Sequence, residues 1–580
     1  MKKNLTTLLF TFVIGSSMVN CVAKSPAPAN QKDEDITIPY MEFDTEDYSI
    51  TTPKPTYTEY VTYEDYGAKG NGVDDDADAI YAAHEYANSK NLPVKATPGK
   101  KYLIKKSGNK TAMIRTDTDW SGAEFIIDDS ELAAPKDRNQ LFSVRDEHSV
   151  PPLVFVDYIY AEKNPSYEKH PELKTLGLKK DATNLGITLT AKSVVWLEDN
   201  NVVRFRRCMS GRVSEQPAQE DVIIVDENGD IDKGTPLNWS YNTFTRVHCR
   251  PIKEQTLYIT GGTFRTIVNR CEPVIYVSGG IEVLRSNVVI DNVNHKLENE
   301  RTPADYSSPY YGIFYLKQCA YITIKNCNVS SHITYANKCG TYDIYPLEVA
   351  YLTIRNCHEF TSICDFDRWG VFGSNFCKNV RVIDSELSRF DAHKGVTNAY
   401  IKNSTIGWAG INLIGEGTFR MEDSKCYGAN FIRLREDFGS SWHGNIYIKD
   451  CDWYITRNDG KHISSSMACI IGGNHICDFD FGSDTYMPKK IFIDGFTLHD
   501  EIKGKNYYGP YVLNPIIDSS KDVFNSLKTK YPYHLTEDIY FRNFKCTSSE
   551  FENFYGVSSN SDNLFNDIRI HSNWNSSDED

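Results

Sequence analysis

The stretch Ile322-Thr323-Ile324-Lys325-Asn326 sets two alternating apolar residues before an asparagine, and the same arrangement recurs along the chain. It returns as VVIDN ending at Asn292, LTIRN at Asn356, VRVID at Asp384, AYIKN at Asn403, FRMED at Asp423, IYIKD at Asp450, IFIDG at Gly495 and IYFRN at Asn543. Successive copies lie 19 to 48 residues apart. A shortest period near 20 residues is too short for a propeller blade and fits one coil of a parallel β-helix, the longer intervals carrying loops. Strand alternation points Ile324 inward and Lys325 to solvent. The closing Asn, Asp or Gly takes the tight bend and is placed to hydrogen-bond along the stack. An antiparallel sandwich would need hairpin turns between neighbouring strands, and these are scarce here.

Upstream, YGAKGNGVDDDADAIYAAHEYA spans Tyr66 to Ala87. Gly67, Gly70 and Gly72 form a turn, Asp76 and Asp78 favour a helix start, and Ile80, Ala83 and Ala87 follow at helical spacing. This stretch resembles the N-terminal signature of pectate-lyase-like right-handed parallel β-helix proteins. The match runs from Glu59 to Ile104 and includes Pro98-Gly99-Lys100-Lys101-Tyr102-Leu103-Ile104. Asn71 stands where the pattern usually has Asp. The resemblance implies an all-β, right-handed, single-stranded parallel β-helix (a solenoid) with an N-terminal capping helix, and a polysaccharide bound along one face near mid-solenoid. It speaks to the fold and not to a reaction.

The chain divides by composition. Residues 1–21 read as a signal or lipoprotein signal peptide: Lys2-Lys3, an apolar run from Leu8 to Val19, then Cys21. Lipidation at Cys21 would give a membrane anchor and an outer-membrane or cell-surface location; cleavage after Cys21-Val22-Ala23 would leave a periplasmic or secreted protein. Residues 22–58 read as a flexible tether, 59–105 as the cap, 106–250 as early coils with long loops, 251–550 as the regular β-helix with the catalytic face, and 551–580 as a last coil and tail. A net charge of −15 argues against a nucleic-acid partner. The protein is expected to be a monomer. Cys327, Cys357 and Cys451 each follow the Asn or Asp of a motif copy, the place for a ladder of small, buried, unpaired side chains. No C-x-x-C pair with His at zinc spacing occurs, so a zinc site is not expected.

Outward positions on consecutive coils locate the candidate site. In SRFDAHKGV, Phe390 and Ala392 face inward and Arg389, Asp391 and His393 outward, while alternation turns Lys394 inward unless the strand ends there. In the next coils Asn412, then Arg433, Arg435 and Asp437, face outward. One coil earlier Phe366 is expected inward, with Asp365, Asp367 and Arg368 on the outer face. Trp369, Trp408, Trp442 and His443 lie close by in sequence and, with Asn412 and Arg368, are expected to bind the sugar chain. From Arg389 to Arg435 seven basic residues face four acidic ones, a local +3 in an acidic chain.

These residue types suit elimination from a uronic-acid polymer. The C5 proton becomes removable once the neighbouring carboxylate is neutralised by Arg, an amide or a metal ion. Arg433, Arg435 and Asn412 would neutralise it, with Arg389 and Asp391 as further catalytic candidates in the same outward row. His393 or Lys394 would abstract, His393 preferred because it titrates near neutrality. Tyr335, Tyr342 or Tyr345 would protonate the leaving oxygen. No cofactor is required, and calcium is the candidate ion, through Asp365, Asp367, Asp437 or Glu416. Asp391-Ala392-His393-Lys394 loosely resembles the Asp-Pro-His-Glu of alginate epimerases, without its Pro and Glu. In export signal, tether and solenoid the chain resembles surface glycosaminoglycan lyases of gut bacteria. That puts chondroitin sulfate or hyaluronan first as substrate, pectin or alginate second. Two alternatives stand beside the lyase. One is a polygalacturonase-like hydrolase using Asp365 and Asp367, although the Gly-His-Gly and Arg-Ile-Lys segments of that group are absent. The other is a non-catalytic glycan-binding or adhesin solenoid.

Overall fold

The computed structural model describes residues 48–105, 110–132, 139–146, 177–209, 212–271, 276–300, 308–334, 342–428, 430–439, 441–455, 466–471, 479–499, 508–514, 533–547, 555–557 and 568–572. The expected export signal, Cys21, most of the expected tether and Tyr335 lie outside them. Each motif strand pairs in parallel with that of the next coil. Val288–Asp291 lies beside Ile322–Lys325, followed in order by the motif segments that run up to Arg355, Ile383, Lys402, Glu422, Lys449, Asp494 and Arg542. The result is a right-handed parallel β-helix. Ile324, Ile354, Val382, Ile401, Met421, Ile448 and Ile493 form one inward row of the continuous core.

The bend after each motif strand explains the Asn/Asp/Gly requirement. φ is positive at every closing residue, from 47° at Asn403 and Asp423 to 56° at Asn292 and 70° at Gly495. Asn and Asp tolerate this left-handed backbone better than other side chains. Their side chains also stack: Asn356 Nδ2 donates to Asn326 Oδ1 at 2.8 Å, and Asn326 Nδ2 to Asp291 Oδ1 at 2.7 Å. Cys327, Cys357 and Cys451, one residue on, are buried and unpaired as expected.

The helix Ala77–Lys90 closes the N-terminal end, its Ile80, Ala83 and Ala87 joining the solenoid core. Asp76 does not cap it through its side chain. Its carboxylate turns back to accept the backbone N–H groups of Lys69 (2.6 Å) and Gly70 (3.1 Å), tying the glycine turn to the helix start, and Asp75 accepts from Ala77 instead. Gly70 suits the turn on two counts: φ is 56°, which most side chains resist, and a Cβ would lie 2.8 Å from Lys100 Cδ.

Two expectations about organisation change. Residues 48–58 run along the solenoid instead of forming a free tether: Tyr48 packs on Tyr351 at 4.4 Å, and Lys54 pairs with Asp119 at 2.8 Å. Residues 106–250 give coil strands only as far as Val144. Ser193–Val203 then pairs antiparallel with both Ala218–Val225 and Arg246–Pro251. This sheet has its own core around Leu197, Ile223, Tyr241 and Phe244 and seals against the solenoid through Val194, Val222 and Ile224 on Ala320 and Ala350. Its hairpin, Arg207–Met209 with Arg212–Glu215, reaches the candidate site. Among the described residues no helix is long and apolar enough to cross a membrane.

Candidate functional site

One outward position runs unbroken across the middle coils. Ile344 bridges Phe372, which sets Tyr345 beside Gly373; Gly373 pairs with Asp391, Asp391 with Asn412, and Asn412 with Arg433. Between the coils of Tyr345 and Asp391, the expected strand at Asp365–Arg368 is a turn, and Gly373–Asn375 is the strand of that coil. Phe366 accordingly lies outside the core, its ring tilted against Trp408 at 4.7 Å.

Gly373 lets the site form. A Cβ there would lie 2.5 Å from Tyr342 Cζ, so the bare strand is where the Tyr342 ring rests. Across it the Tyr342 hydroxyl donates to Asp391 Oδ2 at 2.7 Å. Arg389 Nη2 reaches the same oxygen at 2.7 Å and Arg435 Nη1 approaches it at 3.6 Å. Asp391 is fully buried, and its Oδ1, like Arg389 Nε, makes no hydrogen bond among the described residues. Gly373→Ala is expected to lift the tyrosine off Asp391 and lower turnover about 10–100-fold with little loss of fold, because a 1 Å misplacement at a reacting centre has that cost. Steady-state kinetics beside a thermal melt check this.

A bulge adds the basic groups. Gly395 takes φ 64°, and the register with the flanking strands slips between Ala392 and Val396. Two consecutive side chains, His393 and Lys394, therefore leave the core. His393 Nδ1 meets Asn375 Oδ1 at 2.8 Å, which makes Nδ1 the protonated nitrogen and leaves Nε2 with the lone pair. Lys394, expected inward, pairs with Glu215 of the hairpin at 2.9 Å. Arg207 of the same hairpin bridges Glu215 (2.9 Å) and Asp437 (2.8 Å), and Arg435 forks onto Asp437 at 2.7 and 3.1 Å. The Phe438 ring lies under this group, edge-on to His393 at 5.3 Å, with Arg207 and Arg435 over its face.

The protonation pattern follows from these contacts. Burial pushes His393 down to about 3, not the near-neutral value expected of it, so its imidazole is neutral at neutral pH. Burial alone would raise the carboxyls, but the cations win. Arg389 and Arg435 hold Asp391 below the usual range, Arg435 and Arg207 do the same for Asp437, and Lys394 and Arg207 bring Glu215 to about 2. Burial raises the Tyr342 phenol well above its ordinary value and keeps it protonated.

Other expected residues fall elsewhere. Trp442 is wholly buried in the core, facing away from any ligand. His443 lies along a neighbouring strip, 3.5 Å from Glu416 and stacked on Tyr486, apart from His393. Arg433 is exposed and paired with Glu436; Asn412 keeps its place in the row and donates to Ala409 O at 3.3 Å. Trp369 carries Arg389 over its ring at 5.2 Å, whereas Trp408 belongs to the turn with Phe366. Arg368 is held by Glu300 and Asp365, each at 2.9 Å. The carboxylates expected to hold calcium are not gathered: Asp365 serves Arg368, Asp367 is exposed on the turn, Asp437 serves Arg435 and Arg207, and Glu416 faces His443 and Lys180. Arg207, Glu215, Asn375 and Phe438 were not singled out from the sequence; the first two come from an insertion with no coil periodicity.

No family model matches the chain, and no curated protein matches it. Among solved structures it is similar to the tailspike of Pseudomonas phage phi297, at 12% identity and TM-score 0.46, over 89% of this chain and 84% of that one. It is similar to the AlgE4 A-module of the Azotobacter vinelandii mannuronan C-5 epimerase, at 10% identity and TM-score 0.35, over 86% of this chain and 99% of that one. It is also similar to a hyperthermoactive exopolygalacturonase from Thermotoga maritima, at 9% identity and TM-score 0.29, over 89% and 93%. The architecture common to them is the right-handed parallel β-helix.

Proposed function

We propose that this protein is a lyase that cleaves a uronic-acid-containing polysaccharide by β-elimination, outside the cytoplasm. Glycosaminoglycans such as chondroitin sulfate or hyaluronan are the first substrate class, pectin or alginate the second. The observation that carries the reading is the combination around Asp391: a neutral imidazole, a protonated phenol and three guanidinium groups, with every carboxyl of the cluster held ionised. A glycoside hydrolase needs one carboxyl kept protonated as its acid. Asp391, Asp437 and Glu215 are all shifted the other way. Glu359, lifted to about 7 by burial, has Ser388 and Ser331 as partners and not the Asp391 group.

In the elimination, Arg389 and Arg435 neutralise the uronate carboxylate and stabilise the charge that develops on it as the C5 proton leaves. His393 Nε2 takes that proton. A bound carboxylate beside the ring favours the imidazolium, so the base strengthens as the substrate arrives. Tyr342 delivers its single proton to the departing O4 once the hydroxyl has turned from Asp391, whose carboxylate holds the phenol beside the site at rest. Microscopic charge balance is kept: one proton moves to His393, one leaves Tyr342, and the C4–O4 bond breaks as the C4–C5 double bond forms.

The test is ultraviolet absorbance of an unsaturated uronate, followed on a panel of chondroitin sulfate, hyaluronan, pectate and alginate. A rise with any of them supports the lyase. Reducing ends released without that absorbance would replace it by a hydrolase, and binding without products by a glycan-binding solenoid.

A further inference from the structure

A second polar centre lies inside the solenoid, where apolar side chains are the rule. His295 Nδ1 is 2.7 Å from Asp343 Oδ2, and His332 Nε2 is 3.1 Å from Asp343 Oδ1. All three residues are buried, with side-chain exposures of 4%, 0% and 1% for His295, Asp343 and His332. Their candidate ligand atoms all lie within 4.8 Å of one another. They come from three different coils, which explains why no short spacing announces them.

Asp343 receives no Arg or Lys among the described residues. Its partners are the two imidazoles and the Ser330 backbone N–H at 2.8 Å. A carboxylate taken wholly out of water needs a compensating positive charge. Behind His332 stands a second carboxylate: Glu300 Oε1 lies 4.0 Å from His332 Nδ1, which itself makes no hydrogen bond. Arg368 answers Glu300 at 2.9 Å. Asp343 and Glu300 thus bring two negative charges and Arg368 one positive, and at least one more positive charge belongs in the cluster.

We infer that His295, His332 and Asp343 form a binding site for a divalent transition-metal ion of the zinc and cobalt class. Two imidazole nitrogens and one carboxylate suit such ions, while calcium prefers an all-oxygen shell. The outer contacts fit the same assignment. With Nδ1 of His295 and Nε2 of His332 turned to the metal, the remaining ring N–H of His295 points at Thr266 Oγ1 (2.9 Å), a hydroxyl partner of the kind that orients ligating histidines, while Nδ1 of His332 faces Glu300 at 4.0 Å. The site also has a mechanical consequence. Asp343 directly precedes the strand Ile344–Arg355 and follows Tyr342, so fixing it fixes the backbone that carries the proposed proton donor.

The test needs no substrate and does not depend on the lyase reading. The full chain is loaded with Zn²⁺ or Co²⁺, dialysed, and its metal measured by mass spectrometry, with Asp343→Asn and His332→Ala beside it. About one ion per chain is expected in the wild type, with visible Co²⁺ absorption of a nitrogen-ligated site, and less than about a tenth of that in the variants. Added Zn²⁺ is expected to raise the wild-type melting temperature and not that of Asp343→Asn. Folded wild type that retains no metal, or equal metal in wild type and Asp343→Asn, would overturn the assignment. The wild-type measurement stands even where a variant fails to fold.

Discussion

His393→Ala is expected to lower turnover by about 10²–10⁴-fold, the range set by losing a positioned general base, while far-ultraviolet circular dichroism stays that of the wild type. The imidazole leans on Phe438 and Asn375 but lies outside the solenoid core, so its loss removes chemistry more than packing. His393→Gln adds a second readout that a structural role alone would not give. In the unfolded chain histidine protonates near 6.5, and in the fold His393 does so only near about 3. Between those values the unfolded state holds the extra proton, so the fold loses stability as pH falls from about 6.5, by up to about 1.4 kcal/mol per pH unit from this residue. His84 and His248 are depressed in the same way and contribute the same sign in both proteins. The glutamine variant should therefore lose less stability than the wild type between pH 7 and pH 5, as urea midpoints would report. Full activity in His393→Ala would remove the base from the proposed mechanism.

The parts of the molecule governed by strand period were legible in the sequence. Motif copies at a minimum of 19 residues fixed the coils, and Asn, Asp or Gly at the bend met the positive φ that the bend demands. The row Asp391–Asn412–Arg433 followed from the same alternation. What failed was local departure from the period or contact across long separation. The Gly395 bulge freed Lys394, and the turn at Asp365–Arg368 replaced a strand. Trp442 shows the limit of proximity in sequence: its strand alternation sends it into the core, with His443 on the outer side. Arg207 and Glu215 arrive from an insertion whose antiparallel pairing leaves no coil signature. His295, His332 and Asp343 meet only because the coils stack.

Arg435 is where activity and stability should fail together. Its guanidinium forks onto Asp437 and also faces Asp391, and it is largely buried with Phe438 beneath it. Arg435→Ala leaves Asp437 to Arg207 and Asp391 to Arg389, each carboxylate losing one of its two cations in a largely buried cluster. Breaking a buried pair from one side costs about 3–5 kcal/mol, and the expected result is a large fall in melting temperature together with loss of measurable product. The pH dependence has a definite sign. Asp391 and Asp437 titrate lower in the fold than in the unfolded chain, so their contribution is present above about pH 4 and is lost as pH falls through the lower, folded values. Without Arg435 those folded values rise, and acid unfolding should begin at higher pH than in the wild type. Arg435→Lys separates the two roles where the alanine variant is too unstable to assay. A lysine keeps the charge but cannot fork onto Asp437 while facing Asp391. It should recover much of the stability and little of the turnover; recovery of both would mean that charge alone, and not the bridging geometry, is what the site requires.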